Sequence, residues 1–136
     1  MATATFHNAF KENLAEKAIN LAADQLAYAL CPSGSAPTAG NSLLADLTQI
    51  AYTNLSSRNV TTSSSAMSGA TYQLVLADLV LTASGGSVAA FRYLDLYDDT
   101  ATGDMLILFY DYGSALTLTA GDTLTIDHAS PSLTMA

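Results

Sequence analysis

FRYLDLYDDTATGDMLILFYDYG, residues 91–113, holds five of the chain's twelve acids and four of its seven tyrosines. Carboxylates and phenols this dense suit an acid/base site or a metal loop. They also suit two strands and the turn between them. Read as strands, Phe91, Tyr93, Asp95 and Tyr97 share one face, and Arg92, Leu94, Leu96 and Asp98 the other. In the second strand Met105, Ile107, Phe109 and Asp111 oppose Leu106, Leu108, Tyr110 and Tyr112. Both strands are apolar on both faces at their centres, which predicts central strands covered on two sides. The acids gather at strand ends and in the turn DDTATGD, where Asp side chains cap free backbone N–H groups. An Asp that caps its own turn needs no substrate to explain it.

The catalytic alternative rests on Asp95 and Asp111, the two acids placed inside strands, as a carboxylate pair of the glycosidase kind. It is the weaker reading, because no Glu follows Glu16 and the chain has no Trp on which a sugar could stack. The Asp98–Asp104 turn lacks the spacing and terminal Glu of an EF-hand loop, so Ca²⁺ there is a minor alternative.

From Tyr72 onward the pattern is all β. TYQLVLADLVLTA reads as strand with a break at Ala77-Asp78, and SGGS (84–87) as a two-glycine hairpin turn. In ALTLT and TLTID, joined by AGD (120–122), Leu116, Leu118, Leu124 and Ile126 face one way. The tail ASPSLTMA adds a last short strand. Upstream, Phe6, Phe10, Leu14, Ala18 and Leu21 recur at helical spacing after a Thr5 N-cap. DQLAYALC alternates as a first strand. PSGSAPTAGNS (32–42) is a loop, and residues 43–53 fit a short helix or a strand. Residues 55–70 are Ser/Thr-rich and predict an exposed edge strand or a mobile loop. The expected fold is mainly β: an antiparallel β-sandwich or jelly roll with an N-terminal α-helix, one domain over 1–136. Residues 1–23 would form an arm and helix, and 24–136 the sandwich with its mobile 55–70 segment.

Composition narrows the function. Only 12% of the 136 residues are charged and half are apolar, against about 25% charged in typical soluble domains. Ser, Thr, Asn, Ala and Gly must therefore build much of the surface, as they would where other subunits cover it. The net charge is −8, and Lys11, Lys17, Arg58 and Arg92 do not cluster. This excludes the basic patch that nucleic-acid binding needs. No apolar run approaches the roughly 20 residues of a membrane span, and residues 1–20 lack a secretory h-region. The one cysteine, Cys31, cannot form an intrachain disulfide, and a buried inert thiol is its default reading. His7 and His128 lie in no metal-binding pattern and read as surface or packing residues. No serine sits in a nucleophile elbow. Arg92 is read as the partner of a nearby carboxylate.

FKENLAEKAINLAADQLAYAL and TASGGSVAAFRYLDLYDDTATGDMLILFYDYGSALTLTAGDTLTID together resemble small virion proteins of tailed bacteriophages. The likeness covers most of the chain and is weakest across 55–70. It implies a head decoration, or cement, protein that binds the outside of a capsid, with no catalytic residues. The implied partners are the major capsid protein and further copies of the chain, a trimer suiting capsid three-fold positions. Nucleic acid, membrane and cofactor are not expected. The implied location is the outer capsid surface of the virion, after synthesis in the host bacterial cytoplasm. Phe6, Phe10, Arg58 and Arg92 are the candidate interface residues. The alternative is a tail- or fibre-associated protein that recognises a host surface glycan.

Overall fold

The structure, a computed structural model, describes residues 3–135; Met1 and Ala2 of the expected arm and Ala136 of the tail lie outside the described residues. The chain is mainly β, with antiparallel sheets and one α-helix. Its elements are β1 (Thr5–Phe6), α1 (Asn8–Ala15), β2 (Leu26–Cys31), β3 (Asn59–Val60), β4 (Thr62–Ser68), β5 (Thr71–Leu76), β6 (Leu79–Thr82), β7 (Phe91–Asp98), β8 (Met105–Leu116), β9 (Thr123–Ile126) and β10 (Leu133–Met135). They form a five-stranded sheet in the order β1-β8-β7-β2-β3, a three-stranded sheet β10-β5-β4, and a two-stranded sheet β6-β9.

All three sheets and the helix send side chains into one core. Leu30, Leu96 and Leu108 of the large sheet meet Leu74 and Leu133 of the second, Leu81 and Ile126 of the third, and Phe10 of α1. β2 and β7 are buried along nearly their whole length, as central strands covered on both faces should be. Leu116, Leu118, Leu124 and Ile126 all reach the main core, as their alternation predicts. The break at Ala77-Asp78 and the short tail strand are present.

Four local expectations need correction. First, strict alternation fails in β8. A register shift opposite Leu96/Tyr97 leaves Ile107 without a partner on β7. An extra residue turns the pleat over. Hence Ile107 and Leu108 both enter the main core, while Leu106 packs on the other face with Ala27, Ala29 and Tyr97. Second, the helix stops at Ala15, and Thr5 lies in β1 while His7 is the N-cap. Lys17 takes φ 64°. The Ala18 N–H donates to the Asn13 carbonyl at 2.8 Å and the Lys17 N–H to that of Leu14 at 3.3 Å. This is a Schellman ending with lysine where glycine is usual. Third, SGGS is no hairpin. β6 pairs with β9 and β7 with β2 and β8, so the turn crosses between sheets. A Cβ on Gly86 would lie 2.5 Å from the Asn54 amide nitrogen, so a side chain there would displace that amide from the Ser87 carbonyl. Fourth, ALTLT is strand only as far as Leu116, while AGD turns the chain as expected, between strands of different sheets.

Residues 43–53 form a 3-10 turn (Leu44–Asp46) and irregular chain. Residues 55–70 supply β3 and β4, and β4 is an edge strand.

Candidate functional site: interface residues and buried polar pairs

The opening stretch separates its two strand acids. Asp95 lies opposite Phe109, and Asp111 lies opposite Tyr93 on the same sheet face. Asp95 is fully buried, and the His7 Nε2–H donates to its Oδ2 at 2.8 Å. Burial pushes the Asp95 carboxyl above the usual carboxylate range, and the His7 hydrogen bond opposes that push. Asp111 is exposed and takes both forks of Arg92, at 2.7 and 2.9 Å. That guanidinium, and then the Gly113 N–H, hold Asp111 below the usual range. The structure thus gives Arg92 its expected carboxylate partner. Neither aspartate lines either of the two cavities described below.

The Asp98–Asp104 turn behaves as a capping turn. Asp98 is buried, and its Oδ1 accepts the N–H groups of Thr100 and Ala101 at 2.9 and 3.0 Å. Its Oδ2 has no hydrogen-bond partner. Burial first, and Asp24 second, raise Asp98 to about 7. Among the described residues no cluster of three or more His, Cys, Asp or Glu side chains could hold a metal. Gln25 ties the same two loops together. Its N–H donates to Thr100 Oγ1 at 2.8 Å, and its carbonyl accepts from the Asp99 N–H at 2.8 Å.

A second buried pair sits under the main core. His128 Nδ1–H donates to the Ala77 carbonyl at 3.0 Å, so its Nε2 accepts from the Tyr28 hydroxyl at 2.8 Å. Burial depresses the His128 pKa and favours this neutral ring, and it pushes the Tyr28 phenol well up. Both histidines are therefore packing residues, each joined to a residue far away in the chain. Cys31 is buried, and its thiol is pushed up to about 12 by that burial and by Asp95.

The four candidate interface residues occupy different settings. Phe10 is 1% exposed and belongs to the core. Phe6 stacks on it at 5.9 Å between ring centroids and is 39% exposed. Arg58 seals the outer edge of β2, where β3 covers only Leu26 and Ala27. Its guanidinium donates to the Tyr28 carbonyl at 2.6 Å and lies 3.6 Å over the Tyr52 ring. The Tyr52 hydroxyl accepts the Leu30 N–H at 3.0 Å and donates to Gln49 at 2.6 Å. Arg92 and Phe6 keep accessible surface, whereas Phe10 and the head of Arg58 are engaged within the chain.

The structure bears out the exposed edge strand expected within 55–70. β4 is unpaired along one edge, and Ser63, Ser64, Ala66, Met67 and Ser68 are exposed, Met67 to 62%. No Lys, Arg, Asp or Glu occurs between Arg58 and Asp78. That gap in charge was the sequence cue. One cavity, about 230 Å³, is lined by Leu94, Tyr110, Tyr112 and residues 124–127. The other, about 390 Å³, lies between the end of α1 and the β4-β5-β10 sheet. Among the described residues no helix is long and apolar enough to cross a membrane. No family model, curated protein or solved structure matches this chain.

Proposed function

We propose that this chain is a non-enzymatic structural protein of a phage virion, a decoration protein that docks on the outer capsid surface and joins neighbouring capsomers. The observation that carries the reading is the neutral, open edge of β4. Natural edge strands are guarded by charge, proline or bulges, because a free edge invites pairing with another chain. Here 62–68 carries no charge and no proline, its one irregularity is the register shift between Thr62 and Ser64, and its mostly small side chains leave the remaining backbone accessible. An edge left open in this way suits a partner that covers it. The low charge of the whole chain and the resemblance of residues 10–30 and 82–127 to phage virion proteins support the same reading. The three sheets are read as an open β-sandwich, with β4 at its exposed margin. A trimer at capsid three-fold positions would bring three such margins together.

The test is quantitative analysis of purified particles from the phage that encodes the chain. A decoration protein is present in copy number comparable to the major capsid protein, and it rebinds shells stripped of it. A few copies per particle, found with tail fractions, would replace the capsid reading with the tail or fibre one.

A further inference from the structure

The cleft of about 390 Å³ between the C-terminal turn of α1 and the second sheet combines features that the capsid reading does not use. Its floor is apolar, from Leu14, Ile19 and Met135. Its polar wall holds Asn20 and the hydrogen-bonded hydroxyls of Ser65 and Tyr72, 2.8 Å apart. Lys17 stands at its rim and is the one charged residue in the lining. Among the described residues Lys17 joins no ion pair. Its backbone is held in the left-handed region, at a helix ending where glycine would sit without strain. Backbone strain of this kind clusters at ligand clamps and other functional sites. The volume falls within the range of small-ligand sites, which pair an apolar lining with a few placed polar groups.

We propose that this cleft binds an alkyl carboxylate, the chain lying on Leu14, Ile19 and Met135 and the carboxylate meeting Lys17 beside the Ser65–Tyr72 hydroxyls. Among the described residues no carboxylate lines the cleft, so there an anionic head meets one cation and no opposing acid. The proposal stands apart from the capsid reading, since free protein suffices to test it.

The test is an NMR titration of the whole chain with octanoate, with octan-1-ol and octylammonium as matched probes. Saturable shifts are expected at the methyl groups of Leu14, Ile19 and Met135. Octanoate should bind about threefold to fivefold tighter than octanol, the size of one exposed ion pair. Octylammonium should be the weakest. Lys17→Gln and Lys17→Gly should both erase the preference for octanoate over octanol. The glycine variant relieves the strain, so a purely structural role for Lys17 would leave its ligand preference unchanged. Absent shifts at those methyls, or a preference that survives in Lys17→Gln, would overturn the proposal.

Discussion

The five-stranded sheet and the three-stranded sheet treat polarity in opposite ways. The first encloses it: His7–Asp95 and Tyr28–His128 are buried pairs, and Asp98 is a buried acid at the end of β7. The second displays neutral surface: β4 presents Ser, Ala and Met to solvent with no charge between Arg58 and Asp78. The usual order is the reverse, with charges outside and apolar groups within. Buried polar pairs are costly unless satisfied, yet they specify one arrangement of the elements they join. The difference teaches where this chain places rigidity and where it leaves contact surface. It also sets a ranking of mutational effects, large inside the first sheet and small on the second.

The largest effect is expected at His7. Removing it by His7→Ala leaves Asp95 buried with no partner for Oδ2. Breaking one side of a buried pair costs about 3–5 kcal/mol. Asp95→Asn keeps an acceptor or a donor at the site and should cost less, roughly 1–3 kcal/mol. Urea unfolding of both variants checks this. Equal small losses for the two would show that the pair does not hold β1 and α1 to the sheet, and would erase the contrast between the sheets.

The next effect depends on pH. Asp98 is raised from its ordinary value to about 7 by burial and then by Asp24. The folded chain therefore holds a proton at Asp98 that the unfolded chain has released. Stability from this group is fully present below about pH 4 and is lost as pH rises through about 7. Asp95 is shifted in the same direction. Wild type should lose up to roughly 4 kcal/mol between pH 4 and 8 through Asp98. Asp98→Asn keeps the acceptor for Thr100 and Ala101 and should flatten that slope. Thermal unfolding of both proteins across this range decides it. A slope unchanged by the substitution would place the titration elsewhere.

How far these effects were legible in the sequence follows from their range along the chain. The double-sided apolar pattern of 91–113 marked β7, which is buried on both faces, but overreached for β8, whose residues 111–115 are exposed, and the Arg92–Asp111 pair follows from two neighbouring strands. The capping role of Asp98 is local, so turn chemistry revealed it. The His7–Asp95 contact spans 88 residues and Tyr28–His128 spans 100. No local pattern encodes such pairs, which is why both histidines read only as packing residues. The bulge at Ile107 was hidden because every residue around it is apolar, so either face fits. The hairpin reading of SGGS failed because glycines mark a turn without saying which sheet the chain enters next. The helix end was missed because its left-handed residue is lysine, and the turn signal is tuned to glycine.

That lysine gives the third effect. A non-glycine residue in the left-handed region costs about 1–2 kcal/mol. Lys17→Gly should therefore stabilise the chain by about 1 kcal/mol, since the Schellman hydrogen bonds do not involve the side chain. Denaturant midpoints measure it directly. No gain, or a loss, would mean that the Lys17 side chain contributes packing on the cleft that offsets its strain.

The smallest effect on folding is expected on β4. Ser64 is exposed and lies opposite Val75 on the edge strand of the second sheet. Ser64→Lys should change stability by less than about 0.5 kcal/mol, as for surface substitutions away from caps and cores. Lysine is also the residue with which natural edges repel pairing. If the β4 edge is the docking margin, the same variant should lose most of its retention on capsids while its melting temperature stays put. His7→Ala should behave in the opposite way, losing stability first and retention only as the fold is lost. The two variants thus separate a sheet that holds the molecule together from a sheet proposed as the docking margin. A Ser64→Lys protein that binds shells as wild type does would move the contact off β4. Phe6 and Arg92 would then remain as the accessible candidates for it.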